Sequence, residues 1–162
     1  MRGSPNSQAA CVSLNMAFTP QDEVYLQRCV HLARLPGSAV CPNPPVGAVI
    51  LGPEGQVWGE GYHPAYGQPH AEVFALEAAR KNGADLSQAT VYVSLEPCSH
   101  TNKKTPPCAP RLVQAGVKRV VLGAVDPNPQ VQGNGIRLLR QAGIAVDLAP
   151  NPQAYEHLIR VF

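Results

Sequence analysis

The chain alternates between apolar residues at helical spacing and short apolar runs typical of buried strands. The segment 19–22 predicts the start of the first helix, with a Thr cap, a proline in the first turn and an acid at the third position. Apolar residues recur at helical spacing until Pro36-Gly37, where the helix is predicted to end. The following segments "VGAVIL", "GPEG" and "QVWGEGY" predict a β-hairpin.

Helices and strands alternate after this hairpin. Helices are predicted for "HAEVFALEAARKNG", "CAPRLVQAG", "IRLLRQAG" and "NPQAYEHLIRVF". Strands are predicted for "TVYVSLEP", "VKRVVLGAV" and "IAVDLA". Because helical crossovers join parallel strands, the pattern predicts an α/β fold: a three-layer α-β-α sandwich with a mixed five-stranded sheet, parallel in its second half.

Length and composition agree with one globular domain. The chain has 162 residues, of which 44% are hydrophobic and 15% charged. Its net charge of +2 is too small to favour a nucleic-acid or membrane partner, and no apolar run is long enough to span a bilayer. We expect residues 1–16 to be a disordered extension and residues 17–162 to form the domain.

The number of cysteines indicates the cellular compartment in which the protein is expected. There are five cysteines, an odd number, and the N-terminal segment lacks the sustained apolar stretch of a secretory signal. A reducing, cytoplasmic location is therefore expected, and in such a compartment two neighbouring cysteines are more often metal ligands or core residues than a disulfide.

Three potential metal ligands are predicted to meet at one end of the sheet. His70 opens a predicted helix, Cys98 follows a strand, and Cys108 opens the next helix. One imidazole and two thiolates suit Zn²⁺ and leave a fourth coordination position for water. A purely structural zinc site would require a fourth side chain, for which His100 is the nearby candidate.

Glu72 favours a catalytic zinc. It lies two residues after His70, where a carboxylate can take a proton from water and pass it on. Zinc deaminases carry H-x-E followed by P-C-x-x-C. This chain has the H-x-E triplet and Pro97-Cys98, although Cys108 lies further along than the usual second cysteine.

Five segments carry a family resemblance. They are "CPNPPVGAVI", "GEGYHPAYGQPHAEVFAL", "VYVSLEPCSH…TPPCAP", "GVKRVVLGAVDPNPQVQGNG" and "LLRQAGIAV". From about Phe18 onwards the chain resembles the deaminase domain of the bacterial and plant riboflavin-biosynthesis enzyme, diaminohydroxyphosphoribosylaminopyrimidine deaminase, which has the cytidine-deaminase-like fold. The long interval between the cysteines and the later D-P-N-P motif make the likeness specific.

The resemblance implies a reaction and a set of site residues. The reaction is zinc-dependent deamination of 2,5-diamino-6-(5-phosphoribosylamino)pyrimidin-4(3H)-one to 5-amino-6-(5-phosphoribosylamino)uracil and ammonia. His70, Cys98 and Cys108 match the zinc ligands, and Glu72 matches the proton shuttle. The implied substrate contacts are Asn43, the backbone near Ala71, His100, Lys104, Asp126 and Asn128.

The chain departs from the family pattern in two places. The loop "SHTNKKT" is one residue longer than usual, so Lys103 competes with Lys104 as the phosphate contact. The bacterial family enzyme usually continues into an NADPH-dependent reductase domain. No reductase is expected within these 162 residues, so a fused or separate reductase is an expected partner. The sequence does not decide whether the protein forms a homo-oligomer. If the source is a plant, the expected location is the plastid rather than the cytoplasm.

Two other functions compete with this hypothesis. An RNA-editing or other nucleobase deaminase shares the zinc chemistry but typically has C-x-x-C and a basic surface. Here the charge is nearly balanced and only 6% of residues are aromatic. The second alternative is a non-catalytic zinc module that supports a reductase, with His100 as the fourth ligand.

Simpler interpretations apply to residues outside these motifs. Cys29 is predicted to pack in the core, and packing is also favoured for Cys41. Arg119 is predicted to be solvated. His63 is interpreted chiefly as a loop residue, with a place at the mouth of the pocket as the less favoured alternative.

Overall fold

A computed structural model describes residues 18–100, 106–129 and 131–160. The five strands are β1 (Gly47–Leu51), β2 (Val57–Tyr62), β3 (Thr90–Leu95), β4 (Arg119–Ala124) and β5 (Ala145–Leu148). The five α-helices are α1 (Pro20–Arg34), α2 (Ala71–Lys81), α3 (Cys108–Ala115), α4 (Asn134–Gln141) and α5 (Gln153–Arg160). Short 3-10 turns at Gly37–Val40 and Leu86–Gln88 complete the regular structure of these residues. The predicted extension, residues 1–16, lies outside the described ranges.

The strands form one mixed sheet in the order β2-β1-β3-β4-β5. β1 is antiparallel to both β2 and β3, whereas β3, β4 and β5 run parallel. The helical crossovers α3 and α4 impose the parallel half, which confirms the predicted topology. Within the described ranges, no helix is long and apolar enough to cross a bilayer.

Helices cover both faces of the sheet, so the predicted three layers are confirmed. α2, α3 and α4 pack on one face, and α1 and α5 on the other. β1 contributes to the cores on both faces because its side chains alternate. Ala48 and Ile50 pack in the core beneath α2, α3 and α4, and Val49 and Leu51 pack in the core beneath α1 and α5. Burial of each large aliphatic side chain stabilises the fold by roughly 1.5–3 kcal/mol. Cys29 is fully buried and its thiol donates to the Tyr92 carbonyl, which confirms its core assignment.

A buried ion pair joins the start of α1 to the sheet. Thr19 and Asp22 form the predicted capping box. Both Asp22 carboxylate oxygens accept hydrogen bonds from Arg119, at 2.9 Å each, and Arg119 Nε donates to Asp147 at 2.7 Å. The prediction that Arg119 is solvated is therefore wrong: the residue is 6% exposed, and the two carboxylates that neutralise it come from other elements.

The ion pair carries a stability prediction. Asp22→Asn leaves Arg119 buried with Asp147 as its remaining anion, so we expect the free energy of unfolding at pH 7 to fall by about 3 kcal/mol in urea titrations. The control is Glu60→Gln, which breaks the exposed Arg28–Glu60 bridge and should cost less than about 1 kcal/mol. Equal losses in the two variants would contradict the prediction.

The stability loss should depend on pH. Burial acts to raise the pKa of Asp22, but hydrogen bonds from Arg119, the Thr19 amide and Tyr92 outweigh it, so the pKa is lowered. A carboxyl group with a lowered folded pKa stabilises the protein above its unfolded pKa of about 4 and loses that effect as pH falls through the folded value. The difference between wild type and Asp22→Asn should therefore shrink below about pH 4.

Two glycines of β2 set the position of α2. A Cβ atom at Gly61 would lie 2.4 Å from the Ala71 carbonyl oxygen, and one at Gly59 would lie 2.3 Å from the Ala75 carbonyl oxygen. Only glycine permits so close an approach of helix and strand. The first turn of α2, which carries His70 and Glu72, is thereby held against the sheet.

Candidate metal centre

Three loop–helix junctions bring His70, Cys98 and Cys108 together. His70 is the N-cap of α2, Cys98 follows the end of β3, and Cys108 is the first residue of α3. The Ala109 amide donates to the Cys98 carbonyl at 3.0 Å, which ties α3 to the turn after β3. The convergence predicted from the topology is therefore observed.

The donor atoms fit a tetrahedral zinc site. The His70 Nδ1 atom lies 3.6 Å from Cys98 Sγ and 3.4 Å from Cys108 Sγ, and all three donor atoms lie within 4.8 Å of one another. Tetrahedral angles with the usual Zn–S and Zn–N bond lengths require N–S separations of about 3.6 Å. One imidazole and two sulfurs at these separations suit Zn²⁺ in both chemistry and size.

Hydrogen bonds favour thiolate at Cys98. Its pKa is lowered to about 4, first by a hydrogen bond with the Cys108 side chain and also by one with His70. The Cys108 amide at the start of α3 donates to the Cys98 sulfur at 3.2 Å. The pKa of Cys108 is raised, because the two sulfurs share a proton and the site is buried. Both cysteines are free, which excludes a disulfide between them.

His100 is not a member of this cluster. Among the described residues, the group with donor atoms close enough for a metal consists of His70, Cys98 and Cys108. The Nδ1 atom of His100 is buried and makes no hydrogen bond. The arrangement has three protein donors rather than the four of a closed structural site.

Glu72 lies beside the cluster in the first turn of α2. It is 3% exposed, and its Oε2 atom is buried without a hydrogen-bond partner. Burial raises its pKa, and the negative charge of Cys98 raises it further. A buried carboxyl oxygen without a partner is costly in a fold. A carboxyl group with a raised pKa beside three potential metal ligands can accept and release a proton.

A pocket opens onto the cluster, and two of the predicted substrate residues line it. Its walls include His70, Cys98, Glu72, Asn43, Pro44, Val46, His63, Leu95, Glu96 and Asp126. Asn43 and Asp126 are thus wall residues of this pocket, and their contacts with substrate stay a prediction. Ala71 is fully buried next to the pocket, which leaves its backbone as the polar group it can offer.

His63 is part of this pocket, contrary to the favoured interpretation as an ordinary loop residue. It is 2% exposed, and its Nδ1 atom lies 3.0 Å from the Pro69 carbonyl oxygen. Its Nε2 atom lies 3.2 Å from Asn43 Nδ2. A carbonyl oxygen can only accept, so Nδ1 carries the proton and Nε2 accepts from Asn43.

Other residues singled out in the sequence are not among those that line the pocket. Asn128 is exposed, and its amide donates to Asp126 Oδ1 at 2.9 Å. Cys41 is also exposed, so the favoured packing interpretation is wrong; the loop turns this side chain outward. Lys103 and Lys104 lie outside the described residues.

Glu96 is a charged pocket residue that the sequence analysis missed. It is 6% exposed and accepts hydrogen bonds from the Gly133 amide. In the sequence it is one acid at the end of an apolar strand, and its partner lies 37 positions away. No local pattern signals such a contact.

The family profile described as the cytidine and deoxycytidylate deaminase zinc-binding region matches residues 19–124. The match covers more than half of the chain and includes the three donor residues and Glu72. The chain belongs to this zinc-binding deaminase family. The zinc cofactor predicted from the sequence is therefore confirmed, and the donor set fits it.

Similar proteins narrow the comparison to riboflavin biosynthesis. The chain is 45% identical to riboflavin biosynthesis protein RibD of Synechocystis over 141 residues, which are 87% of this chain and 37% of that protein. It is 41% identical to diaminohydroxyphosphoribosylamino-pyrimidine deaminase of Buchnera aphidicola, covering 79% of this chain and 84% of that protein. The chain thus spans about a third of the longer relatives and most of a short one. The predicted family resemblance is confirmed.

A solved structure supports the fold at similar identity. The deaminase/5-amino-6-(5-phosphoribosylamino)uracil reductase of Thermotoga maritima superposes with a TM-score of 0.80 at 44% identity, over 88% of this chain and 40% of that one. A cyanophage dCMP deaminase shares the fold alone, with a TM-score of 0.61 at 21% identity. The predicted cytidine-deaminase-like fold is confirmed.

Proposed function

We propose that this domain catalyses zinc-dependent hydrolytic deamination of 2,5-diamino-6-(5-phosphoribosylamino)pyrimidin-4(3H)-one, with 5-amino-6-(5-phosphoribosylamino)uracil and ammonia as products. The observation that carries the proposal is the unpartnered Oε2 atom of Glu72 beside the cluster of His70, Cys98 and Cys108. The names of the relatives at 41–45% identity support the choice of substrate.

In this proposal His70, Cys98 and Cys108 hold the zinc ion. Bound zinc would supply Lewis acidity and lower the pKa of a coordinated water towards neutrality. The hydrogen bond from the Cys108 amide helps to keep the Cys98 sulfur in its thiolate form. The close packing of β2 against α2 fixes the His70 side of the site.

Glu72 is the proposed proton carrier. Its Oε2 atom takes the proton from the attacking water, and the carboxyl group then donates it to a ring nitrogen of the pyrimidine. Glu72 then takes the proton of the new hydroxyl group on the ring carbon and gives it to the exocyclic amine. The C–N bond breaks, ammonia leaves and the ring carbonyl of the product forms. The raised pKa of Glu72 suits this alternation, because a carboxyl group must both accept and release the proton near neutral pH.

Asn43 is proposed to bind the pyrimidine edge. Because its Nδ2 group donates to His63 Nε2, its Oδ1 atom is left to accept from a ring or amino N–H group of the substrate. The Pro69 carbonyl fixes the His63 tautomer and so fixes the orientation of the Asn43 amide. The backbone of Ala71 and the side chain of His100 are proposed to complete the ring contacts.

The ribose phosphate is proposed to extend towards the D-P-N-P turn. Asp126 lies in the pocket wall, and the exposed Asn128 follows it two positions later and donates its amide to the Asp126 carboxylate, which supports this direction. Lys104, or Lys103 in its place, is the proposed cation for the phosphate. A phosphorylated substrate should therefore be preferred to its nucleoside.

The wider context follows from the relatives. The Thermotoga protein is named as a deaminase and a reductase, and plant relatives are named as chloroplastic. We propose that an NADPH-dependent reductase, fused or separate, consumes the product of this domain. The site of action is then the bacterial cytoplasm or the plant plastid, and self-association is a further proposal.

The direct test is ammonia release from the pyrimidine phosphate by the zinc-loaded protein. We expect turnover that a zinc chelator abolishes and added zinc restores, with much slower turnover of the dephosphorylated substrate and of cytidine. Preference for cytidine or for RNA would overturn the substrate assignment. Zinc binding without turnover of any of these compounds would favour the non-catalytic module.

A further inference from the structure

Glu96, a wall residue of the pocket, is hydrogen-bonded to the start of α4. It directly follows the last residue of β3 and lies two residues before Cys98, and its amide donates to the Ala124 carbonyl at the end of β4. Its carboxylate accepts from the Gly133 amide, with distances of 2.8 Å to Oε1 and 3.1 Å to Oε2. One buried side chain therefore connects the strand that leads to Cys98 with the start of α4.

The segment that Glu96 holds leads back to the D-P-N-P turn. The Asn128 amide donates to Asp126, and the Asn128 carbonyl accepts from the amides of Val131 and Gln132 at 3.0 and 2.8 Å. The Val131 carbonyl accepts in turn from the Asn134 amide at 3.1 Å. The described part of this connection is thus a series of hydrogen-bonded turns that reaches Glu96 through Gly133.

Close packing reinforces the contact. A Cβ atom at Gly135 would lie 2.3 Å from the Pro97 carbonyl oxygen and 3.3 Å from Cγ of Glu96. The first turn of α4 is therefore pressed against the backbone that leads into Cys98. A small displacement at this contact would move the D-P-N-P turn relative to the metal centre.

We propose that Glu96 is a positioning residue that sets the distance between the metal centre and the turn that carries Asp126 and Asn128. Because a ribose phosphate lies far from the ring carbon that reacts, loss of this alignment should weaken substrate binding more than the chemical step. The role rests on the proposed substrate contacts of these two residues.

The kinetic test compares Glu96→Ala with Glu96→Gln, both loaded with zinc. For Glu96→Ala we expect KM for the pyrimidine phosphate to rise more than tenfold, kcat to fall less than threefold, and zinc to stay at one per chain. Glu96→Gln keeps an oxygen that can accept from the Gly133 amide and should recover part of the KM increase.

Two comparisons separate positioning from a general loss of stability. Ile136→Val removes one methyl group from the buried face of α4 and should lower the Tm while leaving KM unchanged. Asn128→Ala and Glu96→Ala should not be additive in KM, because both remove the same contact with substrate. Fully additive effects, an equal KM change in Ile136→Val, or loss of zinc from Glu96→Ala would overturn the proposal.

Hydrogen exchange tests the contact without substrate. In Glu96→Ala the Gly133 amide should exchange more than tenfold faster than in wild type. Unchanged exchange at Gly133 would overturn the anchoring role even if turnover is normal. Absence of turnover in the wild-type protein would instead contradict the proposed function, and the exchange result would still decide whether Glu96 anchors α4.

Discussion

Glu72→Gln should lose nearly all turnover while it keeps its zinc. The substitution preserves the size of the side chain and leaves His70, Cys98 and Cys108 in place, so zinc should remain at one per chain by metal analysis. A glutamine amide cannot take a proton from water and return it, and general acid–base catalysis of this kind contributes about 10²–10⁴-fold. We therefore expect kcat to fall by at least about 10²-fold, with a small change in KM.

Glu77→Gln is the matched control for this variant. Glu77 lies on the exposed face of the same helix, so its substitution changes the charge of α2 without touching the pocket. It should retain wild-type kcat and zinc content. Wild-type turnover in Glu72→Gln would remove Glu72 from the mechanism, and loss of zinc would show that it acts through the metal site.

Stability gives a second, independent result for Glu72→Gln. Burial raises the pKa of Glu72, so its ionised form costs folding free energy above the folded pKa. That cost is absent in the glutamine variant. In zinc-free protein we expect the Tm of the variant at pH 8 to equal or exceed that of wild type, with the difference closing as pH falls. A lower Tm at pH 8 would show that the carboxylate has a stabilising partner.

Helices and strands could be predicted from the sequence because the contacts that begin and end them join residues close together in the chain. The start of α1 is an example, since Thr19 and Asp22 bond each other's backbone within one turn. The mixed sheet followed from the order of helices and strands, because helical crossovers require parallel neighbours. The metal cluster could also be predicted, because the topology places the loops that carry its residues at one end of the sheet.

The errors concern contacts between distant segments. Arg119 was predicted to be solvated because nothing near it in the sequence shows that Asp22, 97 positions away, neutralises it. Glu96 was missed because its partner, Gly133, is a backbone amide that any sequence could offer. His63 is held in the pocket by contacts of its ring nitrogens with the Pro69 carbonyl and the side-chain amide of Asn43. Such pairings depend on the tertiary fold rather than on local spacing.

Cys108→Ser should lose zinc, activity and stability together. A serine hydroxyl does not ionise near neutral pH and is a poor ligand for zinc, so two donors remain at a site that requires at least three. Zinc content should fall close to zero, and ammonia release should fall to background. A ligand present at about 100 times its Kd stabilises the folded state by about 2.7 kcal/mol, so the Tm should fall to that of chelated wild type.

Cys41→Ser is the control that distinguishes loss of a zinc ligand in Cys108→Ser from loss of any thiol. Cys41 is exposed, and its substitution should leave zinc content, Tm and turnover unchanged. Chelator added to Cys108→Ser should not lower its Tm further, because no bound metal remains to be removed. If Cys108→Ser instead retained one zinc per chain, a donor other than the three that converge here would have to complete the site, and the catalytic geometry proposed for Glu72 would no longer hold.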